Sequence, residues 1–297
     1  MVTLDKIRLT GLLPRSPAQA GLRHAVAAGV AVAALALVPS TAAQGPPPPD
    51  ARLPADPAAT ATAIRDTTAS LTRAIDAWRA SVRSAVPDDV TLYALYQQRI
   101  VRLLSRNGTL ARATLRRLPR PSAAIVRDLV VAHRDLVRIT PPLRVLRIHV
   151  GSPAPAANLL RWYREGQRRF GVPWQVLAAV NFVESAFGKL RSASAAGAQG
   201  PMQFMPSSWR TYGLGGDVHD PHDAILGAAN YLRAAGAGHD IRQALHAYNP
   251  SRFYVDAVLR YARRLVGERH TFYALYSWQV FVRTSTGVRR VTGPGIG

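Results

Sequence analysis

The 297-residue sequence predicts a mostly α-helical fold, on three observations. Apolar residues recur at helical spacing through most of the chain, and prolines and one Asn-Gly pair punctuate those stretches. Period-two alternation is confined to the C-terminal tail, which predicts one small hairpin there.

The elements follow in order. Residues 44–57, containing GPPPPD, read as a proline-rich tether. Ile64, Leu71, Ile75 and Trp78 share one face of a helix expected over 58–86. Pro87-Asp88-Asp89 opens a second helix, carrying Tyr93, Tyr96, Ile100 and Leu103, which Asn107-Gly108 stops. A third is expected over 122–137, ended by Pro141-Pro142. Together these form an α-helical region, 58–150, whose aspartates and arginines read as the solvated face of a bundle and suggest no chemistry. Gly151 to Pro155 marks a boundary to a second domain, 151–270. Its helices are expected over 156–170, 173–187, 222–235, 240–248 and 252–266, with Pro173 suited to a first turn. Between them lie a Gly-, Ser- and Ala-rich loop over 188–202 and a short helix after Pro206. In the tail, 271–297, Trp278, Val280 and Val282 alternate with Gln279, Phe281 and Arg283, and Ser285-Thr286-Gly287 turns this strand into a return strand over 288–292.

Charge and composition narrow the function classes. The formal charge is +21, carried almost wholly by arginine, since lysine occurs only at positions 6 and 189. With no cysteine, neither a disulfide framework nor a thiolate metal site is open to this chain. Lys6, Arg8, Arg15 and Arg23 precede an apolar run from Ala25 to Val38, and small residues follow as far as Ala43. A basic start, a short apolar core and a small-residue exit describe a secretory signal peptide over 1–43. Fourteen apolar residues fall short of the ~20 of a membrane span, although an uncleaved N-terminal anchor is the alternative. That segment holds four basic residues and one acidic, so its removal leaves +18. The chain is therefore expected to be secreted, at the cell wall or outside it, with no stable membrane span after cleavage. An exported basic protein meets anionic wall polymers through such a surface, and no DNA- or RNA-binding motif is present.

Glu184 is the residue with the most to say. Only three glutamates occur in the chain, Glu165, Glu184 and Glu268. On a helical wheel Leu177, Val180 and Phe187 fall within roughly 60° of Glu184, with Asn181 as the one polar neighbour at the edge. A carboxyl group on an apolar stripe is desolvated, which raises its pKa and suits it to give a proton to a leaving group. The plainer alternative is a structural glutamate paired with an arginine.

Further motifs follow in order: Glu184-Ser185, then Ser194, Gly197, Ala198, Gly200, Met202 and Gln203, then Asp220, Asp223, Ala224 and Ile225, then Ala247-Tyr248-Asn249. This series resembles the transglycosylase SLT domain of lytic transglycosylases, relatives of goose-type lysozyme. Four separate motifs in the family's order, over roughly residues 160–267, carry the resemblance. It implies an α+β lysozyme-like domain that cuts peptidoglycan, with Glu184 as the sole catalytic acid and base. It also implies that Ser194, counted back from Met202-Gln203, hydrogen-bonds near the substrate's N-acetyl group. Met202 and Gln203 would line the glycan groove, with Tyr248 and Asn249 opposite the acid.

These residues have plainer readings too. Met202 and Phe204 suit a core, Gly197 and Gly200 suit turns, and Asp220 and Asp223 suit a helix N-cap and first turn. His219, His222 and His246 lack a tight metal-ligand spacing, so no metal and no cofactor are expected. Most glycosidases need two carboxylates, and Glu184 has no obvious partner. The 2-acetamido oxygen of N-acetylmuramic acid resolves this by attacking C1 itself, a known exception to the two-carboxylate rule. Two rival readings remain. A hydrolytic muramidase would need a water-holding carboxylate such as Asp217. A wall-binding protein would have an enzyme fold without its activity.

Overall fold

The computed structural model describes residues 45–82, 85–142, 148–267 and 269–296. The signal-peptide expectation over 1–43 falls outside them. Among the described residues the protein is helical apart from one hairpin, and no helix is long and apolar enough to cross a membrane.

The first four helices are α1 (Pro57–Ala80), α2 (Asp88–Arg106), α3 (Gly108–Leu115) and α4 (Arg120–Ile139). Asp56 caps α1 by accepting from the Ala59 amide at 2.8 Å, ahead of a proline in the first turn. Ile64, Leu71, Ile75 and Trp78 are all buried, as their spacing predicts. Helix α3 is absent from the sequence reading. Asn107 does end α2, but its side chain also accepts from the Leu110 amide at 2.9 Å and starts a new helix at once. The proline-rich stretch does not hang free. It lies along α2, where Arg99 Nη1 donates to the Pro49 carbonyl at 2.9 Å and Leu53 packs on the core.

Seven helices follow: α5 (Ala156–Phe170), α6 (Trp174–Ser185), α7 (Pro206–Tyr212), α8 (Pro221–Ala234), α9 (Ile241–Tyr248), α10 (Arg252–Leu265) and α11 (Arg269–Ser277). Helix α11 occupies ground read as irregular tail. Phe272, Leu275 and Tyr276 are its core-facing residues, at a spacing of three and four. Then β1 (Phe281–Thr284) pairs antiparallel with β2 (Gly287–Arg290), Phe281 opposite Arg290 and Thr284 opposite Gly287. Trp278, Val280 and Val282 are all buried, but so is Gln279 between them, and regular pairing begins only at Phe281. Ahead of it the Gln98 side chain of α2 acts as a substitute strand. Its amide donates to the Gln279 carbonyl and its oxygen accepts from the Gln279 N–H, both at 2.8 Å.

One apolar core runs from α1 to Trp278 and includes side chains from both sides of Gly151. Helix α4 packs along α10, and here the expectation of a solvated charged face fails. Asp128 and Asp135 are buried on α4. Asp128 faces Arg260, Arg263 and Arg264 of α10 at 3.5, 3.8 and 3.0 Å. A buried carboxylate among three guanidiniums fixes how α10 lies on α4. We predict that Asp128→Ala destabilises the fold by about 2 kcal/mol in chemical denaturation. This falls below the roughly 3–5 kcal/mol for breaking a fully buried pair, because the Arg263 side chain is 55% exposed.

Candidate active site

Helix α6 carries Glu184 at its last turn. Leu177, Val180 and Asn181 face the core and are essentially inaccessible. Glu184 stands one residue before the helix ends and stays half-buried. Phe187 is not on this helical wheel, contrary to the sequence reading. The chain leaves α6 through three successive left-handed residues, Ala186 (φ 52°), Phe187 (φ 65°) and Gly188 (φ 85°). That conformation costs roughly 1–2 kcal/mol per non-glycine residue. Burial of the Phe187 ring offsets it, against Phe182 and Phe272 at 5.5 Å each.

The abrupt stop leaves Glu184 at the negative end of the helix dipole, where an ionised carboxylate is disfavoured. Desolvation pushes its pKa up to about 7, while a hydrogen bond from Tyr254 pulls the other way. That bond runs from the Tyr254 hydroxyl, on α10, to Glu184 Oε1 at 2.6 Å. Among the described residues Glu184 makes no ion pair, so the arginine-paired structural glutamate is not what the structure holds. The Tyr248 and Tyr254 phenols are raised well above their usual range, first by burial and then by the charge of Glu184. Both tyrosines therefore stand within electrostatic reach of the carboxyl group.

The GPMQFM loop is fastened directly to this helix end. Asn181 Nδ2 and Ser185 Oγ both donate to the Pro201 carbonyl, at 2.8 and 2.6 Å. Tyr163 donates to Asn181 Oδ1 at 2.5 Å, and the Gly188 amide donates to Ser185 Oγ at 2.8 Å. The serine of the Glu-Ser pair is thus a brace rather than a reactive group. Tyr248 completes the fastening by donating to the Met202 carbonyl at 2.6 Å. Gly200 has no substitute here: with φ 71°, a Cβ would lie 1.9 Å from the Val218 carbonyl oxygen. Further on, Lys189 is buried and donates to the Tyr276 and Trp278 carbonyls, tying the same loop to the end of α11.

The residues expected to meet a substrate separate into groups. Gln203 has φ 50° and donates from Nε2 to the Gly200 carbonyl at 2.9 Å, half-buried beside the fastened segment. Met202 does not line a groove with its side chain, which is wholly inside the core, and only its carbonyl faces Tyr248. Ser194 is exposed and braces a turn, its hydroxyl accepting from the Ala198 amide at 3.0 Å. Asn249 is the half-buried cap at the end of α9, next to Tyr248.

The aspartates serve turns and caps. Asp220 caps α8 by accepting from the His222 and Asp223 amides at 2.8 and 3.0 Å. Asp217 accepts from the His219 amide at 2.9 Å, and its own amide donates to Asp223. Asp220, His222 and Asp223 have ligand atoms within 4.8 Å of one another. Each already holds a protein partner, since His222 Nε2 meets Glu165 at 2.9 Å. Tyr254 was missed in the sequence reading. It sits on the core stripe of α10 with Val255, Val258 and Tyr261, and only a phenol's need for a partner marked it.

Residues 162–269 match the family model of the transglycosylase SLT domain, a span that holds Glu184, Gln203, Tyr248 and Tyr254. The match supports the lytic transglycosylase SLT family for this segment, and with it an enzyme that acts on peptidoglycan. Comparison with curated proteins and with solved structures finds no match in either.

The Tyr254 bond favours the ionised form of Glu184, so its loss must raise the glutamate's pKa. We predict that Tyr254→Phe moves the alkaline limb of the rate–pH profile upward by about one unit, the size expected for a hydrogen bond to a charged group. A profile recorded on purified sacculi checks this, and an unmoved limb would detach Tyr254 from the acid.

Proposed function

We propose that the protein is an exported lytic transglycosylase that cleaves the β-1,4 bond between N-acetylmuramic acid and N-acetylglucosamine without water. The observation that carries this reading is Glu184: partly buried, free of ion pairs among the described residues, and with its pKa raised to about 7. Such a group is a competent acid and, once ionised, a competent base at the same pH.

In this mechanism Glu184 gives its proton to the glycosidic oxygen as the bond to C1 breaks. The substrate's acetamido oxygen attacks C1 and forms a cyclic oxazolinium, so no second carboxylate is needed. Glu184, now ionised, takes the proton from the C6 hydroxyl, whose oxygen attacks C1 and reopens the oxazolinium to the acetamide. The product carries a 1,6-anhydro ring, and Glu184 is again protonated. Tyr254 holds the carboxyl group through Oε1, which leaves Oε2 for the proton transfers. Gln203 and the Tyr248–Asn249 corner receive the sugar in this reading, as the resemblance to the SLT domain implies. Export rests on the leader-like residues 1–43, and with them a location at the wall.

Digestion of sacculi in isotope-labelled water tests the reaction. The expected fragments end in 1,6-anhydro-N-acetylmuramic acid, are one water lighter than hydrolysed ones, and carry no label at C1. Glu184→Gln should release at least about 10²-fold less, the lower bound for losing a general acid and base. Reducing ends with full label would make the enzyme a muramidase.

A further inference from the structure

We infer that the corner where α2, α3 and α4 meet docks a linear, phosphate-bearing polyanion of the cell wall through Arg106, Arg112, Arg116, Arg120 and Arg127. Placing that polymer in the wall rests on the function proposed above, while the surface itself is argued from charge and geometry.

Between Asp89 and Asp128 the chain has eight arginines and no acidic residue. On α3, Arg112 is exposed while Leu110, Ala111 and Thr114 are buried, and exposed Arg116 lies one turn beyond it. On α4, Arg120, Arg127 and Arg134 recur every seven residues and so share one stripe. Arg134 Nε donates to the Ser105 carbonyl at 3.1 Å, which holds that stripe against the end of α2, beside Arg106. Among the described residues, Arg138, Arg169, Arg242, Arg260, Arg263 and Arg264 all meet a carboxylate. None of the five corner arginines makes an ion pair there. The unbalanced charge is felt inside the corner as well. Burial and then the charges of Arg102 and Arg106 push His133 down to about 4. Arg102 is lowered to about 10, first by burial and then by the charge of Arg106.

The chemistry of the surface selects the partner. A helix that lies on lipid pairs its basic residues with exposed Trp, Phe or Leu. Among the described residues the exposed large apolar side chains, Val82, Val137, Val150, Met205, Leu214, Val266, Val288 and Ile296, all lie outside residues 99–127. Along α4, positions seven residues apart are about 10 Å apart, too far for one phosphate and suited to successive ones. Arginine forks match phosphate oxygens in pairs.

Binding of the full chain to soluble poly(glycerol phosphate) tests this, measured in a Glu184→Gln background so that no cleavage contributes. One variant replaces Arg112, Arg116, Arg120 and Arg127 with Gln. A control of equal charge replaces the exposed Arg52, Arg73, Arg233 and Arg289. The corner variant should bind at least tenfold more weakly at low salt. Its salt dependence should flatten by about one logarithmic slope unit for each phosphate that is no longer neutralised. The control should bind within a factor of about three of the parent, the loss that general screening of distant charges allows. Separately, in the active enzyme, the corner variant should cut polymer-free glycan at the parent rate. Equal weakening by both variants, undiminished binding by the corner variant, or a preference of the parent for phosphatidylglycerol vesicles over the polymer would overturn the assignment. Loss of glycan cleavage with polymer binding intact would instead count against the catalytic reading alone.

Discussion

The site depends on where α6 ends. A helix that continued past Ser185 would carry the next turn over Glu184 and its apolar neighbours. Instead three left-handed residues turn the chain away, and Glu184 is left at the carbonyl end of the helix with part of its surface open. Burial and the helix dipole both act against its charge, and one phenol steadies it without neutralising it. The backbone strain of that turn, roughly 1–2 kcal/mol for each of Ala186 and Phe187, is met by the packing of one aromatic ring. Strain held in place by a packed core is a recurrent feature of functional sites.

From that point the rest of the fold follows as a set of clamps. Ser185 and Asn181 hold the Pro201 carbonyl, so the loop bearing Gln203 cannot drift from the acid. Tyr248 holds the next carbonyl from the far side. Tyr254 reaches Glu184 from α10, and α10 is itself held on α4 by Asp128 and three arginines. The front helices are thus part of the support for the site. Their corner carries arginines that make no ion pair among the described residues, so one region both steadies the acid and offers positive charge.

Much of this was legible in the residues. The stripe Ile64, Leu71, Ile75 and Trp78 located α1, and Pro173, Asp220 and the alternation after Trp278 located other boundaries, because each reflects a local rule of helix or strand chemistry. Asn107 misled because one residue both ended a helix and capped the next. Helix α11 was hidden because a helix of nine residues gives little periodicity to read. At the site, Glu184 stood out by its rarity and its apolar setting, but the residue that holds its carboxyl group did not. Tyr254 meets it across 70 positions of sequence, and no local pattern records such a contact. Met202 shows the converse: a motif position whose side chain serves the core while its carbonyl serves the site.

Glu184 holds its proton to near neutral pH, and the composition of the chain suits a direct measurement of it. With only three glutamates, carboxyl-labelled glutamate gives three NMR signals to follow through a pH titration. One signal is expected to have its midpoint near 7 and to be lost in Glu184→Gln. All three midpoints at or below the ordinary 4.5 would contradict it.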